Sequence, residues 1–581
     1  MDAPAFLDVT ASATGRRWRG PSPEEERLAE AMAQATGLAP AVAGVLVRRG
    51  VAPEEAARYL APALRDLLPD PMRLKDMGAA AERFLKAVRG RERIAVFADY
   101  DVDGAASAAL LITWLGAMGR EATLYIPDRI DEGYGPNVPA MQALGAAHDL
   151  ILCVDCGTLS FDPIAAAGRD VVVLDHHLAG EALPPAVAVV NPNRQDEDGD
   201  LGHLCAAAVV FLMLVEANRR LRGEGATGPD LMAMLDLVAL ATVADVAPLV
   251  GVNRAFVRQG LTVMARRERP GLVALSDVAR LDRPPAAYHL GFVLGPRVNA
   301  GGRVGAADLG ARLLSTADPR EAAALAAELD ALNDERRRVE AAVLEEAMAQ
   351  AEARGADAPL VWAAGEGWHP GVVGIVAARL KEAWGRPAVV IGLEGGEGKG
   401  SGRSVEGVDL GHAVQKAAAE GLLLKGGGHR MAAGLTVARA ALEPAMARLS
   451  ELLGRQGAGS LGPRDLGLDG LLMPSACTPE LVEALEAAGP FGAAAPAPRF
   501  ALPSVMIHHA RRVGDSHLKL AVSDGAGARL GVIAFRAYEG PLGALLEARA
   551  GERMHLAGRL DLNHWQGRTS VQLRLEDAAE A

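Results

Sequence analysis

The chain has 581 residues, half of them hydrophobic and 23% charged, with a formal net charge of −13. One hydrophobic core stops growing near ~250–300 residues, so three or four domains are expected. The acidic balance excludes a surface coated in positive charge, although a local basic groove would suffice for a nucleic acid.

The first ten residues lack a basic start followed by an apolar run, so no secretory signal is expected. Asp236 and Asp245 interrupt the most apolar stretch, Leu231 to Val250, which leaves no run of ~20 apolar residues to cross a bilayer. A soluble, cytoplasmic protein is expected. The four cysteines are too few for a disulfide framework. Cys153 and Cys156 form a CxxC with no second pair, at the end of a strand-like run. They are read as structural thiols in preference to a redox or zinc pair.

Residues 1–75 read as a helical accessory segment. ProSerProGluGluGlu (21–26) and AlaProGluGluAla (52–56) mark helix starts with acids in the first turn. The cluster Arg16, Arg17, Trp18 and Arg19 could touch a nucleic-acid backbone, but is read as a frayed terminus. Residues 76–317 form a first α/β domain. Ile94–Ala98, Leu150–Val154 and Val171–Leu174 are short, β-branched and bounded by polar residues, as buried strands are. Between the first two lie a helix (Ala105–Met118), a strand (Ala122–Ile126) and another helix (Val138–Ala147), an alternation that predicts a mostly parallel sheet.

Pro319 to Arg354 has no internal Gly or Pro and reads as one connector helix within 318–355. It leads to a second α/β domain over 356–455 with Gly-rich segments at 396–404 and 425–430. Residues 465–581 read as a five-strand barrel of the OB type, with strands at 502–513, 516–523, 528–536, 553–561 and 568–576 and a helix near 541–548. From Arg499 to the last residue there are 11 Lys+Arg against 9 Asp+Glu, a weak basic bias in an acidic chain.

The chemistry lies in AspTyrAspValAspGly (99–104), ValAspCysGly (154–157), LeuAspHisHis (174–177) and AlaThrValAlaAspVal (241–246). Each alone has a bland reading, such as a helix cap or a surface histidine pair. Three of them follow predicted strands, and open α/β sheets bind ligands just beyond the carboxyl ends of strands. At least five carboxylates and two imidazoles would then share one crevice, where like charges repel unless protons or cations neutralise them. Mixed Asp and His donors suit Mn²⁺, with Mg²⁺ possible and Zn²⁺ less suited. Paired divalent cations would clamp a phosphoryl centre.

AspHisHis (175–177) is the signature of the DHH phosphoesterases. The same motifs with ArgIleAspGluGlyTyrGly (129–135), ValAsnProAsn (190–193), GlyProArgValAsnAlaGlyGlyArg (295–303), TrpHisProGlyValValGly (368–374), GlySerGlyArgSer (400–404) and GlyGlyGlyHisArg (426–430) resemble the RecJ exonucleases of that superfamily. The resemblance runs from about residue 70 onward and implies a DHHA1 domain for the second α/β unit. It implies two divalent cations, with Asp101 on one, Asp103 on the other, Asp155 bridging, and His176 and Asp245 completing the second. It further implies that His177 contacts or protonates the scissile phosphate and that Arg303 grips a phosphate. Asp99 and Asp175 would orient neighbours from behind. Ser401, Arg403, His429 and the amides around Gly427 and Gly428 would hold a 5′-terminal phosphate.

The implied activity is 5′-to-3′ hydrolysis of single-stranded DNA to 5′-mononucleotides, in recombination and repair. The protein would be a monomer, working with a helicase and a single-strand-binding protein. Tyr134, Trp368 and Trp565 are candidate base-stacking platforms. One departure stands out: GlyProPheGlyAlaAlaAlaProAlaPro (489–498) has alanines where the family pattern has GlyAsn. The rival readings are a small-molecule DHH phosphodiesterase and a non-catalytic DNA-binding component of a repair or replication assembly. The extra terminal segments weigh against the first, and the intact acid and histidine set against the second.

Overall fold

The computed structural model describes residues 4–128, 132–355, 358–459, 465–565 and 568–581. The chain forms two compact units. One comprises Met1–Ala63, Gly462–Phe491 and Ala495–Ala581; the other comprises Leu64–Leu461 and Gly492–Ala494. Among the described residues no helix is long and apolar enough to cross a membrane.

The N-terminal segment supplies strand β1 (Trp18–Arg19) and helices α1 (Pro23–Thr36) and α2 (Pro40–Val47) to the first unit. Helix α1 starts on a capping box: Glu25 N–H donates to Ser22 Oγ, and Ser22 N–H donates to the Glu25 carboxylate. The expectation of a frayed terminus at 16–19 is wrong. Trp18 is fully buried and its indole N–H donates to Asp577 at 3.0 Å. β1 pairs with Leu466–Gly467, and Arg16 donates to the Glu576 carbonyl. The partners lie at the far end of the chain, where no local pattern reveals them.

The second unit begins with α3 (Met77–Gly90), β2 (Ile94–Ala98), α4 (Val102–Ala117), β3 (Ala122–Tyr125), α5 (Val138–Ala147), β4 (Leu150–Val154), β5 (Asp170–Leu174) and β6 (Ala188–Val190). The five strands form a parallel sheet ordered β3-β2-β4-β5-β6. Every residue of β2 and β4 is buried, as strands covered on both faces require. The chain steps from β2 to β3 on one side and then returns to place β4 on the other. That reversal opens a crevice between the carboxyl ends of β2 and β4. Helices α6 (Ala206–Gly223) and α7 (Leu235–Ala244) share their core with α4.

Beyond α8 (Gly295–Val304), one unbroken helix, α9 (Pro319–Arg354), spans 36 residues. A second sheet follows, from β7 (Val361–Glu366), α10 (Pro370–Trp384), β8 (Ala388–Glu394), β9 (Glu397–Arg403), α11 (Leu410–Ala419), β10 (Lys425–His429) and β11 (Ala432–Ala438). Its order is β10-β11-β9-β8-β7.

The first unit resumes at β12 (Leu466–Gly467) and β13 (Gly470–Leu471). It continues as β14 (Phe500–Val513), β15 (His517–Ser523), β16 (Arg529–Ala534), α12 (Leu542–Ala548), β17 (Arg553–Trp565) and β18 (Arg568–Glu580). The β14–β17 pairing closes the expected five-strand OB-like barrel and removes its open edges. Barrel residues Phe500, Leu518 and Leu556 share one core with Met32, Val42 and Leu46 of the N-terminal helices.

In the 489–498 loop, Ala494 has φ of 55°. This is the position where the family pattern has Gly, and a Cβ in the left-handed region costs roughly 1–2 kcal/mol. Ala494→Gly is expected to stabilise the protein by about 0.5 kcal/mol after the added unfolded-state entropy is subtracted, read by denaturant unfolding. A destabilised variant would contradict this.

Candidate metal centre

Four element ends supply the site. Asp99 follows β2, and Asp101 caps α4, its carboxylate accepting the N–H groups of Asp103 (2.9 Å) and Gly104 (3.2 Å). A Cβ on Gly104 would lie 2.3 Å from the Asp99 carbonyl oxygen, so only glycine lets the chain turn this sharply. Asp155 follows β4 with φ of 59°, and Val246, just after Asp245 at the end of α7, has φ of 60°. A β-branched residue in that region is strained by about 1–3 kcal/mol. Both outliers flank the acid cluster. Asp175, His176 and His177 follow β5.

His176 Nε2 lies 3.3 Å from Asp155, 3.7 Å from Asp103 and 3.9 Å from Asp245. Three groups present donor atoms mutually within 4.8 Å: Asp99, Asp101 and Asp155; Asp103, His176 and Asp245; Asp155, His176 and His177. Asp155 belongs to two of them. Its Oδ1 is buried and accepts no hydrogen bond among the described residues. A desolvated carboxylate oxygen of this kind demands a cation or a proton. The all-oxygen and mixed oxygen–imidazole donor sets both fit divalent Mn²⁺ or Mg²⁺.

A second layer holds these donors in place. Asp175 accepts the N–H groups of His176 (2.8 Å), His177 (3.2 Å) and Thr158 (3.1 Å) and contacts His177 Nδ1 at 2.8 Å. Asn193 and Asn191 donate to the carbonyls of His176 and His177. Both oxygens of Asp103 accept the first amides of α6, from Ala206 at 2.6 Å and Ala207 at 2.8 Å. That contact was invisible in the sequence, because backbone donors carry no residue-type signal.

The Tyr134 hydroxyl lies 3.2 Å from His177 Nε2 and 3.3 Å from the Asp155 carbonyl oxygen. Tyr134 is more than half exposed, but desolvation at the hydroxyl end and the nearby Asp155 charge push its pKa up, so it stays a neutral phenol. Trp368 is buried and donates to Glu346, which makes it a core residue and not a platform. The side chain of Trp565 and residues 129–131 lie outside the described residues. Tyr288 and Phe292 are exposed rings stacked 5.0 Å apart, Phe292 on a π-helical turn before α8 and Tyr288 on the short helical turn preceding it. The four cysteines are free and buried, and burial pushes the Cys153 and Cys156 thiols up, away from the reactive thiolate.

Ser401 and Arg403 lie on β9 and Gly427, Gly428 and His429 on β10 of the second sheet, with β11 between the two strands. Ser401 pairs with Gly434, which pairs with Gly427; Arg403 pairs with Ala432, which pairs with His429. Arg403 Nη1 donates to Ser401 Oγ at 3.0 Å. Arg303, at the end of α8, donates to the Gly371 carbonyl of α10 at 3.2 Å and so ties the two sheets' helices together.

Family models match three segments: the DHH family N-terminal domain at 93–242, the DHHA1 domain at 357–455 and the RecJ OB domain at 468–577. The chain is 40% identical over 536 residues to the single-stranded-DNA-specific exonuclease RecJ of Dickeya dadantii, covering 88% of this chain and 92% of that protein. It is 36% identical to the Escherichia coli RecJ, covering 93% and 96%. The chain belongs to the RecJ family. The Mn²⁺ complex of RecJ from Thermus thermophilus superposes with a TM-score of 0.81 at 31% identity, covering 97% of this chain and 79% of that one. The Mg²⁺ complex gives 0.75. RecJ-family membership makes the chain a metal-dependent exonuclease, a hydrolase.

Electrostatics of the RecJ-type centre follow from its burial. Burial, then the charges of Asp103 and Asp101, push Asp245 up to about 8. Burial also raises Asp103, against the pull of His176, and raises Asp155 further with help from Asp103 and Asp101. Burial alone would lower His177, but the Asp175 carboxylate wins and holds it up to about 9. Asp175 itself, despite burial, is held far below the carboxylate range by the same bond.

With raised pKa values, the folded metal-free state keeps protons that the unfolded chain has released between about pH 4 and 9. Its stability therefore falls as pH rises through that window, Asp245 contributing up to about 8 and His177 up to about 9. Cations replace those protons. The Tm difference between Mg²⁺ and EDTA samples should widen from pH 6 to pH 9. A difference independent of pH would contradict this reading.

Proposed function

We propose that this chain removes nucleotides one at a time from the 5′ end of single-stranded DNA, by phosphodiester hydrolysis at two divalent cations, releasing 5′-mononucleotides. The observation that carries this is the position of Asp155, buried between an all-carboxylate group and a group containing His176. In this reading Asp101, with Asp99 beside it, and Asp155 hold one cation, and Asp103, His176, Asp245 and Asp155 hold the other, Mn²⁺ being favoured over Mg²⁺. Bound cations of this kind polarise phosphoryl oxygens and lower the pKa of water.

The chain's own groups do the rest. His177, whose Nδ1 is turned to Asp175, a contact that favours the charged imidazolium, offers its other N–H to the scissile phosphate or the leaving 3′-oxygen. The neutral Tyr134 hydroxyl, 3.2 Å from Nε2 of the same ring, accepts that N–H when no phosphate is present and donates to the Asp155 carbonyl oxygen. Arg303 balances charge developing on the phosphoryl oxygens. Ser401, Arg403, His429 and the amides of Gly427 and Gly428 hold the 5′-terminal phosphate, which sets the polarity. We assign 1–75 as accessory, 76–317 as catalytic, 318–355 as connector, 356–455 as substrate-binding and 465–581 as a nucleic-acid-binding barrel. A monomer in the cytoplasm, served by a helicase and a single-strand-binding protein, fits the family's place in recombination and mismatch repair.

The test is a time course on 3′-labelled single-stranded and blunt duplex DNA with Mn²⁺, Mg²⁺ or EDTA. Stepwise shortening of the single strand from its 5′ end is expected, only with metal, and reduced at least about 10³-fold in Asp155→Ala, as for loss of a group central to metal-assisted hydrolysis. Faster hydrolysis of dinucleotides than of long strands would replace this reading with a small-molecule phosphodiesterase.

A further inference from the structure

The two carboxylates that flank His176 Nε2, Asp103 and Asp245, come from segments far apart in the chain, and each is held from behind. Asp103 accepts the Ala206 and Ala207 amides that open α6, so its place depends on where that helix begins. The chain enters α6 through His203, Leu204 and Cys205, the last of which is the N-cap. Asp245 ends α7 and is followed by Val246 with φ of 60°. Such a residue stays in the left-handed region only where its surroundings hold it there. One restraint is local: the Ala247 N–H donates to the Thr242 carbonyl at 3.1 Å.

A single side chain joins the two segments. Asn253, fully buried near the start of the helix Val252–Ala265, donates from Nδ2 to the His203 carbonyl at 2.8 Å and to the Pro248 carbonyl at 2.9 Å. His203 stands two residues before the cap of α6, and Pro248 three residues after Asp245. Both partners are carbonyl oxygens, so the amide nitrogen must face them, and neither a carboxylate nor an apolar side chain supplies the same bonds. Its Oδ1 is buried and accepts no hydrogen bond among the described residues, so what the side chain contributes is its two donated bonds. Gly251 makes the approach possible. Its φ of 50° with ψ of −131° suits glycine, and a Cβ there would lie 3.4 Å from His203 Nε2. A contact of 3.6 Å between Cys205 Sγ and Thr242 Oγ1 brings the same two segments together nearer the acids.

We propose that Asn253 is a positioning residue for the second cation: by tying the approach to α6 to the turn after Asp245, it fixes the separation of Asp103 and Asp245 and so the opening that His176 and the cation share. The inference deepens the proposed function and rests on its assignment of Asp103, His176 and Asp245 to one cation. Neither bond of Asn253 leads to Asp99 or Asp101, so the cation assigned to Asp101 and Asp155 lies outside its reach.

The test is calorimetric titration of the metal-free chain with Mn²⁺ for the wild type, Asn253→Ala, Asn253→Ser, Asp245→Asn and Asp245→Asn/Asn253→Ala. Asp245→Asn marks which of the two binding steps belongs to the second cation. Groups that orient metal ligands from behind change affinity by roughly 10–100-fold. Asn253 acts through backbone one layer further out, so Asn253→Ala should weaken the marked step about 10-fold, the lower end of that range, and leave the other step unchanged. Asn253→Ser keeps a hydroxyl donor and should lose less; it also serves if the alanine variant does not fold. Because both changes act on one cation, Asn253→Ala should add little to Asp245→Asn. An unchanged marked step, equal weakening of both steps, or full additivity with Asp245→Asn would overturn the inference. Failure of the underlying assignment looks different: the wild-type chain would then bind only one Mn²⁺, and the inference would fall with it.

Discussion

Six aspartates and two histidines crowd the crevice between the ends of β2 and β4, with Asp103 and Asp155 almost fully buried. Carboxylates in that position are tolerable only if protonated or paired with cations. Much of the first α/β domain serves this constraint. Strand order places Asp99 and Asp155 on neighbouring strand ends, the amides of α6 anchor Asp103, and Asp175 anchors both histidines. The left-handed Asp155 and Val246 show the backbone held where it would not rest by itself.

In the proposed function the second sheet answers a different need. A metal cluster cleaves whichever phosphodiester reaches it, so polarity must come from a separate feature that reads the strand end. Ser401, Arg403 and His429 lie on a face floored by glycines, walled by α10, and linked to the catalytic domain through the Arg303–Gly371 contact. The barrel and N-terminal helices, sharing one core, add surface that a small substrate does not need.

Much of this was legible in the sequence where local physics decides. Ile94–Ala98, Leu150–Val154 and Pro319–Arg354 have the predicted bounds, because short β-branched runs between polar residues and a long uninterrupted helical pattern allow little else. The barrel strands were recognisable from their lengths and turns. The acids that the motifs name do come together. What escaped notice depends on distant partners or on backbone groups: the clasp of Trp18 on Asp577, the α6 amides on Asp103, the burial of Trp368. Backbone strain escaped as well, since Asp and Val do not advertise a positive φ as glycine does.

The central claim is that Asp155 is shared between two cations. Isothermal titration of the metal-free protein with Mn²⁺ tests it most directly, comparing the wild-type chain with Asp155→Asn. Two ions per wild-type chain, with both weakened in the variant, is the predicted result. One ion per chain, or two sites in the variant with one unaffected, would contradict it.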